Sequence, residues 1–482
     1  MFNDIVMSNA GAPGTWGNTL SDGRFQVSYR ELPALFDRLD EFFPAFAGPG
    51  TGCLACCCQN SLPEAVLLLW LLARGRDFLL LPRTGTKRQP GIALPPLPGF
   101  CRLRLGIDPS APGLTLAAPD SFIQARENPA FRDVPYPLAG RGCVFLRTSG
   151  STAEPKLALH AAKNLAANAG NCRDRFGLTA KDRVIIPVPI YHMYGLGAGF
   201  LPAIMAGASV SLLESTNIIT YLDREKAFLP NVAFLTPVLC AMFLKARKND
   251  YLFRLTVTAG DRITPSLYEN YEQRFGPLVN LYGSTELGAI ATSILADPLK
   301  TRSQGALLPL PGVATRFGSG AVSGDTAELF CRHESGFFTY VDGQGQECGG
   351  LKDGWFQTQD LGRSLTDNRF QVNGRTGYSM NRTGLLVAFL EVESVMEQGI
   401  PEVDQVAVTA REEEGQRGKL LVACCLLRPG ADLGPADIRS RCFQIMMRHQ
   451  VPDEVQVVKG LPRLANGKLD RQAIARLVNE KS

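Results

Sequence analysis

The sequence predicts an α/β fold in which a large N-terminal domain of mostly parallel sheets is flanked by helices, followed by a small α+β C-terminal domain. In the first part of the chain, short apolar runs alternate with helix-like segments, a pattern typical of parallel sheets covered on both faces. Near Gly374 this pattern gives way to a hairpin, helices and strands that together form a unit of about a hundred residues. We therefore predict domains at residues 1–376 and 377–482.

The order of apolar and turn residues predicts the individual elements. The N-terminal strands are predicted at residues 52–58, 78–81 and 144–146, and the helices at residues 62–74 and 161–172. Ser61 and Glu64 have the spacing of a capping box at the start of the first of these helices. The C-terminal part is predicted to contain a hairpin at residues 381–387, a helix from Glu391, strands at residues 405–410 and 420–426, and a helix at residues 435–448. A proline-rich segment at residues 90–98 predicts an exposed connection without chemistry of its own.

Composition restricts the partners of this chain. Its 482 residues, 45% of them hydrophobic, are sufficient for large buried cores. The 50 basic and 46 acidic residues give a formal net charge of +4, which is too balanced for a protein that depends on nucleic-acid phosphates. We therefore expect small molecules or another protein as partners, and no nucleic acid.

The 13 cysteines do not indicate a secreted disulfide scaffold. Cys53 and Cys56 have the spacing of half a zinc site, but no second pair or histidine cluster with suitable spacing follows. We therefore predict buried strand thiols in place of a metal site. The first residues show no basic segment followed by an apolar core, so together with reduced thiols they lead us to expect a cytoplasmic protein.

Residues 184–213 contain no Asp, Glu, Lys or Arg, and this length is sufficient to cross a bilayer. Pro187, Pro189, Pro202 and His192 interrupt the stretch, and a lipid-facing helix would tolerate them poorly. We predict a buried core beside a pocket, and no membrane span.

A short apolar strand at residues 144–146 leads into a turn that is rich in hydroxyl groups and ends in lysine. The hydroxyl and glycine residues of this turn are Thr148, Ser149, Gly150, Ser151 and Thr152, and the lysine is Lys156. Backbone amides, hydroxyl groups and the ammonium can converge on a polyphosphate, although the spacing differs from the Walker loop. The alternative is an ordinary surface turn with a solvated lysine.

Five further motifs follow in one order. They are Tyr191-His192-Met193-Tyr194-Gly195, Asn280-Leu281-Tyr282-Gly283-Ser284-Thr285-Glu286, Gly354-Trp355-Phe356-Gln357-Thr358-Gln359-Asp360, Gly374-Arg375, and Pro462-Arg463-Leu464-Ala465-Asn466-Gly467-Lys468. With the hydroxyl-rich turn, this set resembles the adenylate-forming superfamily of acyl-CoA synthetases, adenylation domains and luciferases. The resemblance runs from Ser28-Tyr29 to Arg471, and it implies a large N-terminal part with a small, mobile C-terminal lid.

The resemblance implies a first reaction in which a carboxylate attacks the α-phosphorus of ATP, giving an acyl-adenylate and pyrophosphate. Lys468 would lie between the carboxylate and the α-phosphate, Thr285 would bind the α-phosphate, and Glu286 would hold Mg²⁺. Residues 148–152 and Lys156 would cradle the phosphates. The remaining nucleotide contacts would come from Ala259, Tyr282 at the adenine, Asp360 at the ribose hydroxyls, and Arg375 beside it.

By the same resemblance His192 borders the acyl pocket, although a lone histidine in an apolar run is more often a satisfied core residue. The other pocket candidates are small or neutral: Gly195, Gly197, Gly199, Thr236, Thr258, Ala259, Gly260, Gly288 and Ala289. Amino-acid-activating relatives typically carry an aspartate in this region, whereas residues 191–204 of this chain contain no acidic side chain. This suits an aromatic or medium-chain acid that lacks an amine.

The second reaction implied by the resemblance transfers the acyl group to a thiol after the lid rotates about a hinge at Gly377, with Gly384 near the thiol. Some family positions differ here, namely Ala153, Ala259, Asp261, Gln359, Asn381 and Phe389. Because several of these lie at the hinge and thiol face, the acceptor stays open between CoA and the phosphopantetheine of an acyl carrier protein. An amide-forming ligase and a catalytically silent nucleotide-binding subunit are the alternative functions.

Overall fold

The computed structural model describes residues 1–43, 52–83, 96–107, 118, 123–148, 156–214, 217–248, 250–318, 326–382, 385–412, 419–463 and 468–480. The described chain divides into two compact units. The first contains residues 1–303, 309–314 and 332–354, and the second contains residues 304–308, 315–331 and 355–482. The predicted boundary between residues 376 and 377 is the point at which a mobile segment is expected to begin. Compactness does not measure movement, so this boundary stays a prediction.

The helices are, in chain order, α1 (Phe2–Gly11), α2 (Leu32–Phe42), α3 (Leu62–Ala73), α4 (Ala162–Phe176), α5 (Leu201–Met205), α6 (Ile218–Phe228), α7 (Pro237–Ala246), α8 (Pro265–Phe275), α9 (Leu299–Ser303), α10 (Phe389–Gly399), α11 (Pro435–Ile445) and α12 (Arg471–Glu480). A π-helical segment, Tyr194–Phe200, leads directly into α5. Short 3₁₀ turns at Thr376–Tyr378 and Arg448–Gln450 lie in the second unit.

The strands are β1 (Thr19–Ser21), β2 (Gln26–Ser28), β3 (Cys53–Cys58), β4 (Phe78–Pro82), β5 (Cys101–Gly106), β6 (Gln124–Glu127), β7 (Cys143–Arg147), β8 (Leu157–Ala161), β9 (Arg183–Ile186), β10 (Ser209–Leu212), β11 (Val232–Leu235), β12 (Leu255–Thr258), β13 (Leu278–Ser284), β14 (Gly288–Thr292), β15 (Leu308–Pro309), β16 (Val313–Phe317), β17 (Ala327–His333), β18 (Thr339–Val341), β19 (Phe356–Ser364), β20 (Phe370–Arg375), β21 (Ser379–Arg382), β22 (Leu385–Ala388), β23 (Val403–Glu412), β24 (Lys419–Leu427) and β25 (Glu454–Val457).

Two sheets organise the first unit, and both are mixed, with the predicted parallel strands at the centre and antiparallel strands toward the edges. One has the order β15-β14-β13-β12-β11-β9-β10-β1-β2, with parallel pairing from β13 through β1. The other has the order β18-β8-β7-β4-β3-β5-β6, and its central strands β7, β4, β3 and β5 are parallel. Helices α3, α4 and α5 contribute to the apolar core against these sheets, and in α3 every residue from Leu62 to Leu72 is buried.

The second unit has a separate core. Strands β23, β24 and β25 form a sheet against which α10 and α11 pack through Val392, Met396, Ile438 and Cys442. The predicted hairpin, helix and strands of this region are present, with bounds that differ by a few residues. Phe389, at a position where the resembled family has proline, is 4% exposed and belongs to this core.

The predicted capping box at α3 is wrong. The backbone N–H of Gln59 and the Ser61 hydroxyl both donate to Glu64 Oε2, while Arg83 pairs with Glu64 Oε1 at 3.0 Å. Glu64 is 0% exposed, and its burial raises the pKa of the carboxyl group. A buried carboxylate needs a charged partner. The ion pair with Arg83, and not a capping role at the start of α3, therefore determines the conformation of Glu64.

The thiols of β3 are buried, as predicted, and burial raises the pKa of Cys53, Cys56, Cys57 and Cys58. Among the described residues, no group of three His, Cys, Asp or Glu side chains could hold a metal ion. Within the same residues, no helix is both long enough and apolar enough to cross a membrane. The uncharged stretch 184–213 instead supplies β9, the π-helical segment, α5 and β10 to the buried core.

Candidate active site

The antiparallel pairing of β7 with β8 holds the two ends of the hydroxyl-rich turn together. The backbone N–H of Thr148 donates to the Lys156 carbonyl at 3.0 Å, and the Thr148 hydroxyl donates to the same oxygen at 3.2 Å. Between them, the predicted phosphate-binding residues Ser149, Gly150, Ser151 and Thr152 lie outside the described residues, as does Ala153. The structure therefore fixes where this turn leaves and rejoins the sheet.

A chain of contacts connects the lysine of this turn with the predicted metal-binding carboxylate. Lys156 Nζ lies 5.4 Å from the centroid of the Tyr340 ring, close enough for a cation–π contact. The Tyr340 hydroxyl donates to Glu286 Oε1 at 2.6 Å. Burial, followed by the negative charge of Glu286, raises the pKa of Tyr340, so this phenol stays protonated and donates. Sequence analysis identified Lys156 and Glu286 separately and missed Tyr340, which joins them.

Three consecutive carbonyl groups, those of Thr285, Glu286 and Leu287, each accept a hydrogen bond from a residue that is distant in the sequence. His160 Nε2 meets the Thr285 carbonyl at 2.8 Å, and His333 Nδ1 meets the Leu287 carbonyl at 2.8 Å. Between them, the backbone N–H of Phe337 donates to the Glu286 carbonyl at 2.7 Å. The peptide that carries Glu286 is therefore held by hydrogen bonds at every carbonyl from Thr285 to Leu287.

Both of these imidazoles are buried, with 1% of His160 and 7% of His333 exposed. Burial lowers the pKa of His160 to about 4 and also lowers the pKa of His333, because a charged ring would lose its hydration. Both rings are therefore neutral near pH 7. Sequence analysis missed both, and the only available signal was that histidine is rare in this chain, which has 4.

The carboxyl ends of the parallel strands β11, β12 and β13 bring several predicted residues to one edge of the sheet. Leu235 is paired with Thr258, and Thr258 with Asn280, so Thr236, Ala259 and Tyr282 follow at nearby positions. The Tyr194 hydroxyl lies 2.9 Å from the Leu235 carbonyl and 2.8 Å from the Val257 carbonyl. In open α/β sheets this edge is the usual position of a ligand.

His192 is exposed, so it is not a satisfied core histidine. Its backbone N–H donates to the Pro189 carbonyl at 3.2 Å, and its ring centroid lies 4.4 Å from that of Tyr191. The preceding segment is held by buried Asn60, whose amide donates to Ile186 and Val188 and accepts from the backbone of Ile190. Asn60 is a positioning residue that sequence analysis missed.

The glycines of the predicted acyl pocket differ in what they face. A Cβ on Gly195 would lie 2.2 Å from the Pro189 carbonyl oxygen, and one on Gly197 would lie 2.7 Å from the Met193 sulfur. Gly199 faces the Phe234 ring at 3.4 Å, and Gly288, at φ +68°, faces buried Asn168 at 2.8 Å. Close packing therefore explains Gly195, Gly197 and Gly288, whereas a Cβ on Gly199 would make an ordinary contact. Gly260, at φ +90°, is exposed and faces open space.

The threonines and the alanine of the predicted pocket have separate structural positions. Thr236 is the N-cap of α7, and its side chain accepts from the backbone N–H of Leu239. Thr258 is 0% exposed, and Ala259 is 5% exposed. The backbone of Ala289 is hydrogen-bonded in both directions by the Asn168 amide.

In the second unit, the predicted ribose-binding pair is formed. Asp360 and Arg375 face each other across β19 and β20, and Arg375 Nε donates to Asp360 Oδ1 at 2.7 Å. The backbone N–H of Asp360 donates to the Thr358 hydroxyl at 3.0 Å. Gln359, between Thr358 and Asp360, replaces the glycine of the resembled motif. Its φ is +60°, a conformation that favours glycine.

Lys468 is exposed, and its neighbour Leu469 forms an isolated bridge with Arg463. Gly377 lies in an exposed 3₁₀ turn, and a Cβ on it would meet nothing within 4 Å. Gly384 and Gly467 lie outside the described residues.

A cavity of about 290 Å³ in the first unit contains none of the predicted site residues; among its lining are Asp22, Arg24 and Arg224. The position of this cavity therefore does not define the candidate site. The strand ends, the Lys156–Tyr340–Glu286 contacts and the motifs define it.

Two family models match this chain. The family model described as AMP-binding enzyme matches residues 112–318, and the model described as AMP-binding enzyme C-terminal domain matches residues 391–468. An indoleacetate–CoA ligase from Aromatoleum aromaticum is 28% identical over 482 aligned residues, which cover 95% of this chain and 94% of that protein.

Two solved structures show the same fold over the full chain. ATP-bound MatB from Rhodopseudomonas palustris has a TM-score of 0.78 at 20% identity and covers 100% of both chains. The anthranilate CoA ligase AuaEII, in complex with anthranoyl-AMP, has a TM-score of 0.75 at 18% identity and covers 100% of this chain and 97% of its own. The chain belongs to the adenylate-forming superfamily. Within that superfamily it is an AMP-forming, ATP-dependent acid–thiol ligase.

Proposed function

We propose that this ligase activates an aromatic or medium-chain carboxylic acid without an amine, as its acyl-adenylate, and transfers the acyl group to CoA. The observation that carries the nucleotide part is the Lys156–Tyr340–Glu286 chain of contacts beside the closed ends of the hydroxyl-rich turn. It places a cation and a carboxylate next to a turn whose composition suits polyphosphate.

Magnesium fits this arrangement. Mg²⁺ commonly uses one or two carboxylates together with substrate phosphates, and keeps several waters. Glu286 is partly exposed, and its Oε1 accepts from Tyr340. Glu286 would therefore hold the ion against the phosphates of ATP. When bound, the metal would neutralise phosphate charge as the pyrophosphate leaves.

The residues of the chain have separable roles in this proposal. Lys156 would bind phosphate oxygens, Thr285 the α-phosphate, and Tyr282 the adenine ring. Asp360, held by Arg375, would accept from the ribose hydroxyls. Lys468 would supply the positive charge that allows two anions, the acid and the α-phosphate, to approach.

The acyl side is supported by the absence of acidic residues from 191–204 and by the exposure of His192. An ammonium group on the substrate would require a compensating carboxylate, and this segment supplies none. The relatives named for indoleacetate and benzoate act on aromatic acids without an amine, which agrees with this substrate class. The relative named for anthranilate acts on an aromatic acid whose aryl amine is uncharged near pH 7, so it supports the aromatic part of the class only.

A panel of acids tests the proposal. The panel contains indoleacetate, benzoate, anthranilate, octanoate, malonate and several α-amino acids, and the readout is acid-dependent exchange of pyrophosphate into ATP, with hydroxylamine as a trap for the adenylate. We expect exchange with aromatic or medium-chain acids. Exchange with α-amino acids alone would contradict the substrate class, and no exchange with any acid would contradict the adenylation role.

The acceptor is tested with the best acid from this panel. We expect AMP release to accelerate on addition of CoA and an acyl-CoA product to accumulate. Acceleration by a phosphopantetheinylated carrier protein or by an amine, with none by CoA, would replace CoA as the acceptor and leave the adenylation step intact.

A further inference from the structure

We propose that His160 and His333 are positioning residues that fix the Thr285–Glu286–Leu287 backbone, and thereby hold the Glu286 carboxylate in position for the Mg²⁺–nucleotide complex. The inference rests on the proposed role of Glu286. Neither histidine contacts the nucleotide in this proposal, and both act through the peptide that they hold.

The direction of each hydrogen bond determines the tautomer of each ring. A carbonyl oxygen only accepts, so the proton lies on Nε2 of His160 and on Nδ1 of His333. The two rings therefore use opposite nitrogen atoms to reach carbonyls on either side of Glu286. This opposite use is the feature that the experiment exploits.

The second nitrogen of each ring indicates that packing alone does not account for the two histidines. Among the described residues, Nδ1 of His160 and Nε2 of His333 are buried and have no hydrogen-bond partner. A buried polar atom without a partner is destabilising, so an apolar residue would serve packing alone better. Each ring bears this cost and directs its single N–H to one carbonyl of the Glu286 peptide.

The same elements also connect this peptide with the phosphate-binding side of the site. Lys156 directly precedes β8, His160 lies in β8, and Ala158 between them is the register partner of Tyr340. Residues at alternate positions of a strand share a face, so Lys156 and His160 belong to one face of this strand. The strand thus relates the lysine, the Tyr340–Glu286 contact and the His160 brace.

A crossed set of amide substitutions tests the inference. The amide nitrogen of Gln matches the reach of Nε2, and the shorter Asn matches Nδ1. We expect His160→Gln to retain more activity than His160→Asn, and His333→Asn to retain more than His333→Gln. His160→Leu and His333→Leu should each lower the kcat of pyrophosphate exchange by roughly 10- to 100-fold, because small misplacements of a catalytic group are costly.

The decisive readout is independent of turnover: it is the free Mg²⁺ concentration that gives half-maximal ATP binding, measured by calorimetric titration in the absence of the acid. We expect this concentration to rise several-fold in the impaired variants. The KM for the acid should stay within about twofold, because this KM rises only when a variant binds the acid itself less tightly. His449→Gln, in the second unit, is the matched histidine control and should behave like the wild type.

Equal activity and equal Mg²⁺ dependence of the Gln and Asn variants at both positions would overturn the inference, even if the leucine variants fail to fold. Glu286→Gln separates this failure from that of the proposed function. If Glu286→Gln impairs exchange and raises the Mg²⁺ requirement while all histidine variants match the wild type, only the positioning role is wrong. If Glu286→Gln itself matches the wild type, the metal-binding role of Glu286 is wrong.

Discussion

Gln359 is a residue whose backbone conformation does not suit its side chain. Its φ of +60° costs roughly 1–2 kcal/mol for a residue with a Cβ. The peptide is held in place because Thr358 donates to the Leu329 carbonyl at 2.7 Å and the next residue, Asp360, pairs with Arg375. The strain therefore lies directly beside the predicted ribose-binding carboxylate.

Gln359→Gly should increase the free energy of unfolding by about 0.5–1 kcal/mol, since glycine removes the strain but adds freedom to the unfolded chain. Denaturant unfolding followed by circular dichroism measures the change. Gln357→Gly, two residues earlier in β19, is the control and should destabilise by roughly 0.5–1 kcal/mol. A decrease in stability for Gln359→Gly would show that the left-handed conformation is not strained here.

The proposed adenylation step depends on the exposed ammonium group of Lys468. Lys468→Ala should lower the rate of acid-dependent pyrophosphate exchange by roughly 10²- to 10³-fold, because one positioned electrostatic donor is lost. Lys459→Ala, an exposed lysine in the same unit, should leave the rate unchanged. Equal rates for the two variants would contradict the assignment of Lys468.

At the scale of elements, buried His160 in β8 makes the free energy of unfolding depend on pH. The folded protein keeps the pKa of this imidazole near 4, whereas the ordinary value is 6.5. The unfolded chain therefore binds a proton between these values that the folded chain does not bind. The contribution to stability is complete above pH 6.5 and is lost progressively as the pH falls toward 4.

His160→Gln removes this titration and should flatten the dependence of unfolding free energy on pH between 6.5 and 4. The difference in slope, integrated over that window, corresponds to up to ~3 kcal/mol. Urea unfolding at several pH values measures the profile, and His449→Gln is the control. Parallel profiles of the wild type and His160→Gln would show that the folded ring titrates as in the unfolded chain.

At the scale of the whole molecule, the segment after residue 376 has a core of its own, formed by β23, β24, α10 and α11. Alternation between arrangements for adenylation and acyl transfer would need a short exposed hinge that absorbs a backbone change. Gly377 has the exposure and the open surroundings that such a position needs.

Gly377→Ala should leave the fold intact, since a Cβ there meets nothing within 4 Å. We expect pyrophosphate exchange within about twofold of the wild type and a several-fold slower transfer of acyl groups to CoA, because a Cβ narrows the backbone conformations available to a hinge. Stopped-flow separation of the two half-reactions measures this. Gly460→Ala, also exposed and open, is the control, and equal transfer rates for both variants would contradict the hinge assignment.

The local pattern of residues was sufficient for the α/β class, for most elements, and for the order of the chemical groups in the candidate site. Strand and helix periodicities and the turn-rich motifs are local properties, and the chain carries them directly. The local pattern failed at Glu64, where a capping box was predicted, because the partner that matters, Arg83, lies 19 residues away.

Only the tertiary structure determined how the Glu286 peptide is held. Tyr340 reaches Glu286 from 54 positions away, His333 reaches Leu287 from 46, and His160 reaches Thr285 from 125. Such hydrogen bonds form where sheets pack and strands acquire a register, and no local spacing encodes that register. The sequence by itself therefore determined which groups are predicted to perform the chemistry, and the packing of distant strands decided what holds them in place.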